Sequence, residues 1–170
     1  MRGQNNSDLR VRGATPADLP AITRIYNEAI RTTTATFDTK PQTLKERAKW
    51  FRKHGKSHPI IVAELQGEVV GWACLSPWSD QAAYDSTAET SFYVKSEFRG
   101  RGIGRQLKAG IVEKARRLGF HSLIARVAEG SDASLRINEA AGFRQVGILK
   151  EVGWKFGRLI DVHILQKILK

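Results

Sequence analysis

Residues 99–105 read Arg99-Gly100-Arg101-Gly102-Ile103-Gly104-Arg105 and join an expected strand to an expected helix. The glycines let the backbone turn tightly and approach a ligand without interference from Cβ atoms. The first N–H groups of the following helix favour a phosphate, because they lack partners and lie at the positive end of the helix dipole. The arginines add positive charge at the same place. The segment therefore predicts a phosphate-binding loop, with a tight turn that binds nothing as the alternative.

Two better-known phosphate loops do not fit this segment. No Gly-Lys pair followed by Ser or Thr comes after the glycines, which excludes a Walker P-loop. The spacing is G-x-G-x-G rather than G-x-G-x-x-G, and no strand-initial Rossmann unit surrounds it. A phosphate site here must belong to a different class of fold.

The chain around the loop alternates between strand and helix patterns. Period-two alternation predicts the strand before the loop, in which Glu89 and Thr90 lie on opposite faces. Helical spacing predicts the helix after it, which ends at Gly119. The expected order is β-α-α-β-β-β-α-β-α-β-β. Its elements are strand 9–13, helices from Thr15 and Thr43, strands 60–65, 69–75 and 89–94, helix 103–118, strand 123–127, helix 131–141, and strands 143–149 and 159–169.

These features together resemble the GCN5-related N-acetyltransferase superfamily. Residues 99–104 match its cofactor motif Q/R-x-x-G-x-G/A, and residues 138–143 match its N-E-x-x-G-F/Y segment. The resemblance covers nearly the whole chain from Leu9 and narrows to the phosphinothricin and methionine sulfone/sulfoximine acetyltransferases. The segments that carry it are Arg12-Gly13-Ala14-Thr15, Tyr26-Asn27, the threonine-rich turn ending at Phe37, Pro77-Trp78, Ala83-Tyr84-Asp85, residues 89–94, and Gly153-Trp154-Lys155-Phe156-Gly157.

The resemblance implies an α/β fold with a mixed, mostly antiparallel twisted sheet and helices on both faces. Its central strands splay apart and form an acetyl-CoA cleft, with acetyl-CoA as cosubstrate and no metal. By position, the backbone of Phe92, Tyr93 and Val94 would hold the pantetheine arm. The thiol end would be held by Ser131 and Asn138. The pyrophosphate would be held by the loop amides, which are those of Gly100, Arg101, Gly102, Ile103, Gly104 and Arg105.

Acetyl transfer to an amine requires an unprotonated nitrogen, so a substrate ammonium must lose a proton to a base. Glu89 is the only carboxylate in the strand before the loop, and the resemblance implies that it is the general base. The alternative is an exposed strand glutamate or a surface ion pair. The substrate-binding residues expected nearby are Phe37 and Trp78 as pocket walls, with Thr90 and Ser91.

The sequence departs from the relatives in two places. Many superfamily members have a tyrosine acid shortly after the fourth helix, but here Phe143 is followed by Arg144. The sequence therefore does not identify the group that protonates the CoA thiolate, and solvent is one candidate. Relatives also carry a basic residue beside the Pro-aromatic pair, whereas this chain reads Ser76-Pro77-Trp78-Ser79-Asp80. Recognition of an acidic substrate at that position is not expected.

Composition limits the remaining possibilities. The 170 residues carry 28 basic and 17 acidic side chains, which gives a formal net charge of +11. This charge fits either a solvated surface or a polyanionic small ligand, and no nucleic-acid-binding module is recognisable.

We expect one domain over residues 1–170 with residues 1–8 flexible. We expect no membrane span, since a span requires about 18 consecutive apolar residues. Cys74 is the only cysteine, so we expect a core thiol in a cytoplasmic protein.

These observations predict an acetyl-CoA-dependent N-acetyltransferase that acts on the primary amine of a small amino-acid-like molecule. Phosphinothricin, methionine sulfone and methionine sulfoximine are the named acceptors, and the resemblance implies a homodimer. Two alternatives stay open. One is transfer to another amine, such as a peptide N-terminus or a polyamine, and the other is a basic domain that binds CoA or nucleic acid without turnover.

Overall fold

A computed structural model describes residues 8–170 of the chain. Most of the segment expected to be flexible, residues 1–8, lies outside the described residues. The strands and α-helices of the described part follow the expected order. They are β1 (Leu9–Gly13), α1 (Leu19–Thr32), α2 (Leu44–Lys53), β2 (Ile60–Leu65), β3 (Glu68–Pro77), β4 (Thr87–Val94), α3 (Ile103–Arg117), β5 (Ser122–Ala128), α4 (Asp132–Ala140), β6 (Arg144–Lys155) and β7 (Arg158–Ile168).

The strands form one sheet in the order β1-β2-β3-β4-β5-β7-β6. Among the described strands, neighbours are antiparallel except for β4 and β5, which run parallel. That pairing joins only Thr87–Glu89 to Ser122–Ile124, and beyond Glu89 the two strands separate. The separation opens a cleft in the middle of the sheet, and the expected fold class is confirmed.

Helices cover both faces of the sheet. Helix α3 packs Ile103, Leu107 and Ile111 into a core that includes Ala88 and the partly buried Phe92 of β4. On the other face, α1 and α2 pack against Trp72, with Tyr93 at the margin. Because side chains alternate along a strand, Glu89 and Ser91 lie on the α1–α2 face with Tyr93, while Thr90 lies on the α3 face.

Two local expectations need correction. Thr15 is the N-cap residue as expected, but the first turn, Pro16–Asp18, is 3₁₀ and the α-helix begins only at Leu19. There the Asp18 carboxylate accepts hydrogen bonds from the Thr15 amide and from Arg12, which holds the turn. Strand β6 continues to Lys155 instead of ending at residue 149. A bulge at Glu151, with φ of 51°, breaks the side-chain alternation and hides the second half of the strand from the sequence pattern.

Candidate active site

The cleft between β4 and β5 brings together residues from distant parts of the chain. They include a stretch of β4, a stretch of β5, the start of α4 and one residue of the α1–α2 loop. The lining residues are Ala35, Thr90, Ser91, Phe92, Tyr93, Ala125, Arg126, Val127, Ala128, Ser131, Ser134 and Asn138. Several residues that the sequence singles out for cofactor or substrate binding thus share one cleft. Neither Phe37 nor Trp78 is among the lining residues.

The glycine-rich loop leads into the N-terminus of α3. Gly102 is the N-cap residue with φ of 80°, and Gly100 has φ of 77°, a left-handed conformation that side chains with a Cβ rarely adopt. A Cβ at either position would have no atom within 4 Å, so the space in front of the loop is open on the protein side. The first amides of α3 lack partners within the helix and are available to an anion.

Gly104 has a different role from the two glycines before it. A Cβ there would lie 3.0 Å from Ile137 Cδ1 and 3.2 Å from Phe92 Cε2. Its small size therefore lets α3 pack closely against β4 and α4. The Arg99 Nε donates to the Val94 carbonyl at 3.1 Å, which ties the loop to the end of β4.

Asn138 contributes an unsatisfied acceptor to the wall of the cleft. Its side chain is 1% exposed, and Nδ2 donates to the Ser134 carbonyl at 2.8 Å. Its Oδ1 is buried and has no hydrogen-bond partner among the described residues. A buried acceptor without a partner is costly, so this oxygen is suited to a donor on a ligand in the cleft. Together with the open glycine loop, it fits an anionic ligand that carries an amide-bearing arm.

Glu89 lies where the strands begin to separate, and Arg126 of β5 binds it through two hydrogen bonds. Arg126 Nε donates to Glu89 Oε1 at 2.6 Å, and Nη2 donates to Oε2 at 2.7 Å. The glutamate side chain is 14% exposed and the arginine 56%. These hydrogen bonds raise the pKa of Arg126 above its usual value. Each carboxylate oxygen therefore accepts one hydrogen bond from the guanidinium and keeps a lone pair for a further donor.

Sequence reasoning did not identify Arg126. The one available signal is a single charged residue inside the otherwise apolar strand from Leu123 to Val127. The pattern does not reveal its partner, because Glu89 lies 37 residues away. The ion pair that sequence reasoning kept as an alternative for Glu89 is present, but it lies at the cleft and not on the outer surface.

Lys108 lies buried on the α3 face behind the cleft. Its side chain is 1% exposed, its Nζ donates to Thr90 Oγ1, and it lies 3.8 Å from the centroid of the Phe143 ring. Burial lowers the pKa of Lys108 to about 7. Thr90 in turn donates to the Ile124 carbonyl at 3.3 Å, so its hydroxyl bridges β4, β5 and α3. The sequence signal for Lys108 is a charge on the apolar face of its helix.

The α1–α2 loop is fastened over the α1–α2 side of the cleft. Lys155 Nζ donates to the Thr33 and Thr36 carbonyls at 2.9 and 2.7 Å, and its side chain is buried. The Tyr93 hydroxyl donates to the Ala35 carbonyl at 3.4 Å. Phe37 packs on β6: a Cβ at Gly153 would lie 2.1 Å from Phe37 Cε2. The loop therefore links the cleft to β6.

The thiol of Cys74 and the imidazole of His54 are also groups that can take part in chemistry, but their contacts indicate structural roles. Cys74 is 3% exposed, and burial raises the pKa of its thiol to about 12, which keeps it protonated. His54 Nδ1 lies 2.9 Å from the Trp50 carbonyl oxygen and is also partly buried. Within residues 8–170, no cluster of three or more His, Cys, Asp or Glu side chains is arranged to hold a metal ion. Within the same range, no helix has the length and apolar character needed to cross a membrane.

Known proteins share this fold and much of the sequence. The chain is 38% identical over 158 residues to the L-methionine sulfoximine/L-methionine sulfone acetyltransferase of Pseudomonas paraeruginosa. The aligned region covers 92% of each chain. It superposes with a TM-score of 0.91 on a ribosomal-protein-alanine N-acetyltransferase from Brucella melitensis, at 41% identity over 94% of this chain and 99% of that one. A phosphinothricin acetyltransferase from Sinorhizobium meliloti, solved in complex with acetyl-CoA, gives a TM-score of 0.92 at 34% identity, over 95% of this chain and 89% of the other.

The family comparison agrees with the geometry of the cleft. A model of the acetyltransferase (GNAT) domain matches residues 11–164, which include the splayed strands and the glycine-rich loop. The chain belongs to the GNAT acetyltransferase family.

Proposed function

We propose that the chain is an acetyl-CoA-dependent N-acetyltransferase that acts on the primary amine of a small amino-acid-like substrate. Methionine sulfone, methionine sulfoximine and phosphinothricin are the acceptors we favour. The observation that carries the proposal is the cleft between β4 and β5, with the carboxylate of Glu89 where it opens and the glycine-rich loop beyond the end of β4. The names of similar proteins supply the acceptors.

The residues around the cleft fit acetyl-CoA, which supplies an acetyl group as a thioester. The backbone of Phe92, Tyr93 and Val94 borders the gap left by the separated strands and would hold the pantetheine arm. The amides from Gly100 to Arg105 would hold the pyrophosphate. Ser131 and Asn138 would hold the thiol end, where the unpartnered Asn138 Oδ1 can accept a hydrogen bond.

Glu89 would accept the proton that the substrate ammonium must lose, either directly or through water. Its side chain lies on the α1–α2 face of the sheet, together with Ser91. To act, its carboxylate must accept a hydrogen bond from the substrate nitrogen, in addition to or in place of those from Arg126.

We propose a different role for one residue of the expected substrate wall. The Thr90 hydroxyl is bound to Lys108 and to the Ile124 carbonyl, so we assign Thr90 to supporting the cleft. Ser91 keeps its proposed substrate contact because it lines the cleft on the Glu89 face. Phe37 and Trp78 stay proposals for the outer wall of the pocket.

Initial rates with a panel of amines test the proposed function. The purified protein receives acetyl-CoA with methionine sulfone, methionine sulfoximine or phosphinothricin, and release of the CoA thiol is measured. Lysine, spermidine and a peptide that begins with alanine are the comparison amines, the last because of the Brucella relative's name. We expect kcat/KM to be highest for the first three. A preference for the peptide or polyamine would move the protein to another acceptor class, and no CoA release with any amine would overturn enzymatic function.

We also propose a homodimer formed through β6, the edge strand of the sheet. Large apolar side chains are exposed along β6, in the turn that follows and at the start of β7, and we call these residues the β6 patch. They are Val146, Ile148, Leu149, Val152, Trp154, Phe156 and Leu159. Exposed apolar patches and open strand edges mark interaction surfaces.

Two further expectations stay predictions. They are the organisation of residues 1–170 as a single domain and the cytoplasmic location of the protein.

A further inference from the structure

The Glu89–Arg126 ion pair raises a problem for any amine substrate. Glu89 is 14% exposed and both its oxygens accept from Arg126. A simple ammonium that binds Glu89 would bring a second positive charge beside the Arg126 guanidinium without adding a negative one. Like charges placed this close repel each other, and the repulsion weakens binding.

We propose that Arg126 binds the α-carboxylate of the substrate while Glu89 binds its α-ammonium. The inference rests on the proposed N-acetyltransferase function and specifies the acceptors as amino acids with an unmodified carboxylate. A zwitterion placed beside the two side chains offers an opposite charge to each of them. The substrate carboxylate thus offsets the positive charge that its ammonium adds near Arg126.

The geometry of the sheet supports this exchange. Glu89 is paired with Ile124, and Arg126 lies two residues further along β5 on the same face. The pair therefore stands where the strands begin to separate, and its members can move apart toward an inserted group. The ammonium and carboxylate of an α-amino acid are attached to one carbon, so they reach two adjacent side chains. The guanidinium fork that binds the Glu89 carboxylate in this structure suits the α-carboxylate of the substrate equally well.

Other nearby cations do not line the cleft. Among the described residues that do, Arg126 has the only positively charged side chain. Lys155 is bound to two carbonyls of the α1–α2 loop. Arg47 is buried with its guanidinium 3.6 Å from the centroid of the Trp50 ring, and its Nε and Nη2 have no hydrogen-bond partner among the described residues. The segment 76–80 holds no basic residue. Arg126 of β5 would thus provide the positive charge that this segment lacks.

Three acceptors with one side chain test this role: L-methionine sulfone, its α-carboxamide, and the amine that lacks the carboxylate. With the unaltered protein, we expect KM for the two acceptors without a carboxylate to be roughly 10- to 100-fold higher, the range for a lost charge-assisted interaction. In Arg126→Met, KM for the sulfone should rise to the carboxamide value. kcat/KM for the carboxamide should stay constant or increase, because Glu89 is no longer held. Arg126→Lys should restore part of the discrimination.

The ratio of sulfone to carboxamide is compared between variants, so the different basicities of the two amines cancel. Arg117→Met is the matched control, since Arg117 pairs with Glu113 on α3 far along the helix from the cleft. It should leave the ratio unchanged. Equal use of sulfone and carboxamide by the unaltered protein would overturn the inference. A loss of kcat/KM for both acceptors alike in Arg126→Met would do the same, because it indicates a structural role.

Calorimetric binding of methionine sulfone separates this inference from the proposed function. Binding that Arg126→Met weakens, in a protein that acetylates no amine, would support the carboxylate site and overturn only the enzymatic proposal. Turnover of amines with sulfone binding that Arg126→Met leaves unchanged would overturn only the carboxylate site.

Discussion

At the scale of single residues, Glu89 combines the contacts of an ion-pair partner with the proposed role of proton acceptor. Arg126 donates two hydrogen bonds to its carboxylate, and the position on the α1–α2 face makes it available to an acceptor amine in the cleft. A base that is also an ion-pair partner meets its substrate beside a fixed positive charge. We infer that selection of the substrate and proton transfer depend on the same carboxylate.

Glu89→Gln should keep the fold and acetyl-CoA binding but lose about 10²- to 10⁴-fold in kcat at neutral pH, the usual contribution of a positioned general base. Gln has nearly the same shape and cannot accept the proton. Raising the pH should recover part of the rate, since more of the amine is already unprotonated. Steady-state rates across pH measure this recovery.

Glu113→Gln is the control, because Glu113 also binds arginines, Arg116 and Arg117, but on the outside of α3. It should leave the pH profile unchanged. If Glu89→Gln loses the same fraction of activity at every pH, Glu89 positions the substrate and is not the base.

Lys108 gives a prediction about stability. Burial lowers its pKa in the folded protein to about 7, whereas the unfolded chain keeps the ordinary value of 10.5. Between these values the unfolded chain binds the extra proton, so the free energy of unfolding should increase as the pH rises from 7 to 10.5. Lys108→Met should remove most of this increase, roughly 2–5 kcal/mol. Urea unfolding at several pH values measures it. An identical pH slope in both proteins would show that Lys108 is not held neutral.

At the scale of elements, the glycine-rich loop and α3 form the anion-binding part of the cleft. Gly102→Val should abolish CoA binding, because a branched side chain would enter the open space in front of the loop and oppose a φ of 80°. The strain alone should cost about 1–3 kcal/mol of stability. Calorimetry with CoA measures the affinity.

Gly119→Val is the matched control, since Gly119 has φ of 82° and follows the other end of α3. It should suffer a similar loss of stability and still bind CoA. Unchanged CoA affinity in folded Gly102→Val would remove the loop from the binding site.

Element order was predictable because each element carries its own signal. The capping box of Thr43 and Glu46 marked the start of α2, and the amide of Glu46 indeed donates to Thr43 Oγ1 at 3.2 Å. The second half of β6 was not predictable, since the bulge at Glu151 interrupts the period-two side-chain alternation by which a strand is recognised. Arg126 and Lys108 were missed for another reason. Their partners lie 37 and 18 residues away, and only the tertiary fold joins them.

At the scale of the whole molecule, the β6 patch lies beside the loop that borders the cleft, because Phe37 packs on Gly153. A partner subunit on this patch would adjoin the substrate pocket. Trp154 is its most exposed large apolar residue at 66%. A charge at its centre should disrupt association, since a desolvated carboxylate without a partner is costly.

We expect the protein to have twice the 19.0 kDa mass of the chain in solution and Trp154→Glu to have the mass of one chain. Light scattering after size-exclusion chromatography measures both. Leu44→Glu is the control, because Leu44 is 52% exposed on α2. It should leave the mass unchanged. A monomeric unaltered protein would contradict the dimer.

The central claim is that this cleft moves an acetyl group from CoA to the nitrogen of an amino acid. Acetyl-CoA labelled with ¹³C at the acetyl carbonyl, mixed with the protein and L-methionine sulfone, tests it most directly by NMR of the products. The account predicts that the label appears in an N-acetyl amide, in equal amount to the CoA released. Label found only in free acetate, or remaining entirely in acetyl-CoA with every amine of the panel, would contradict it.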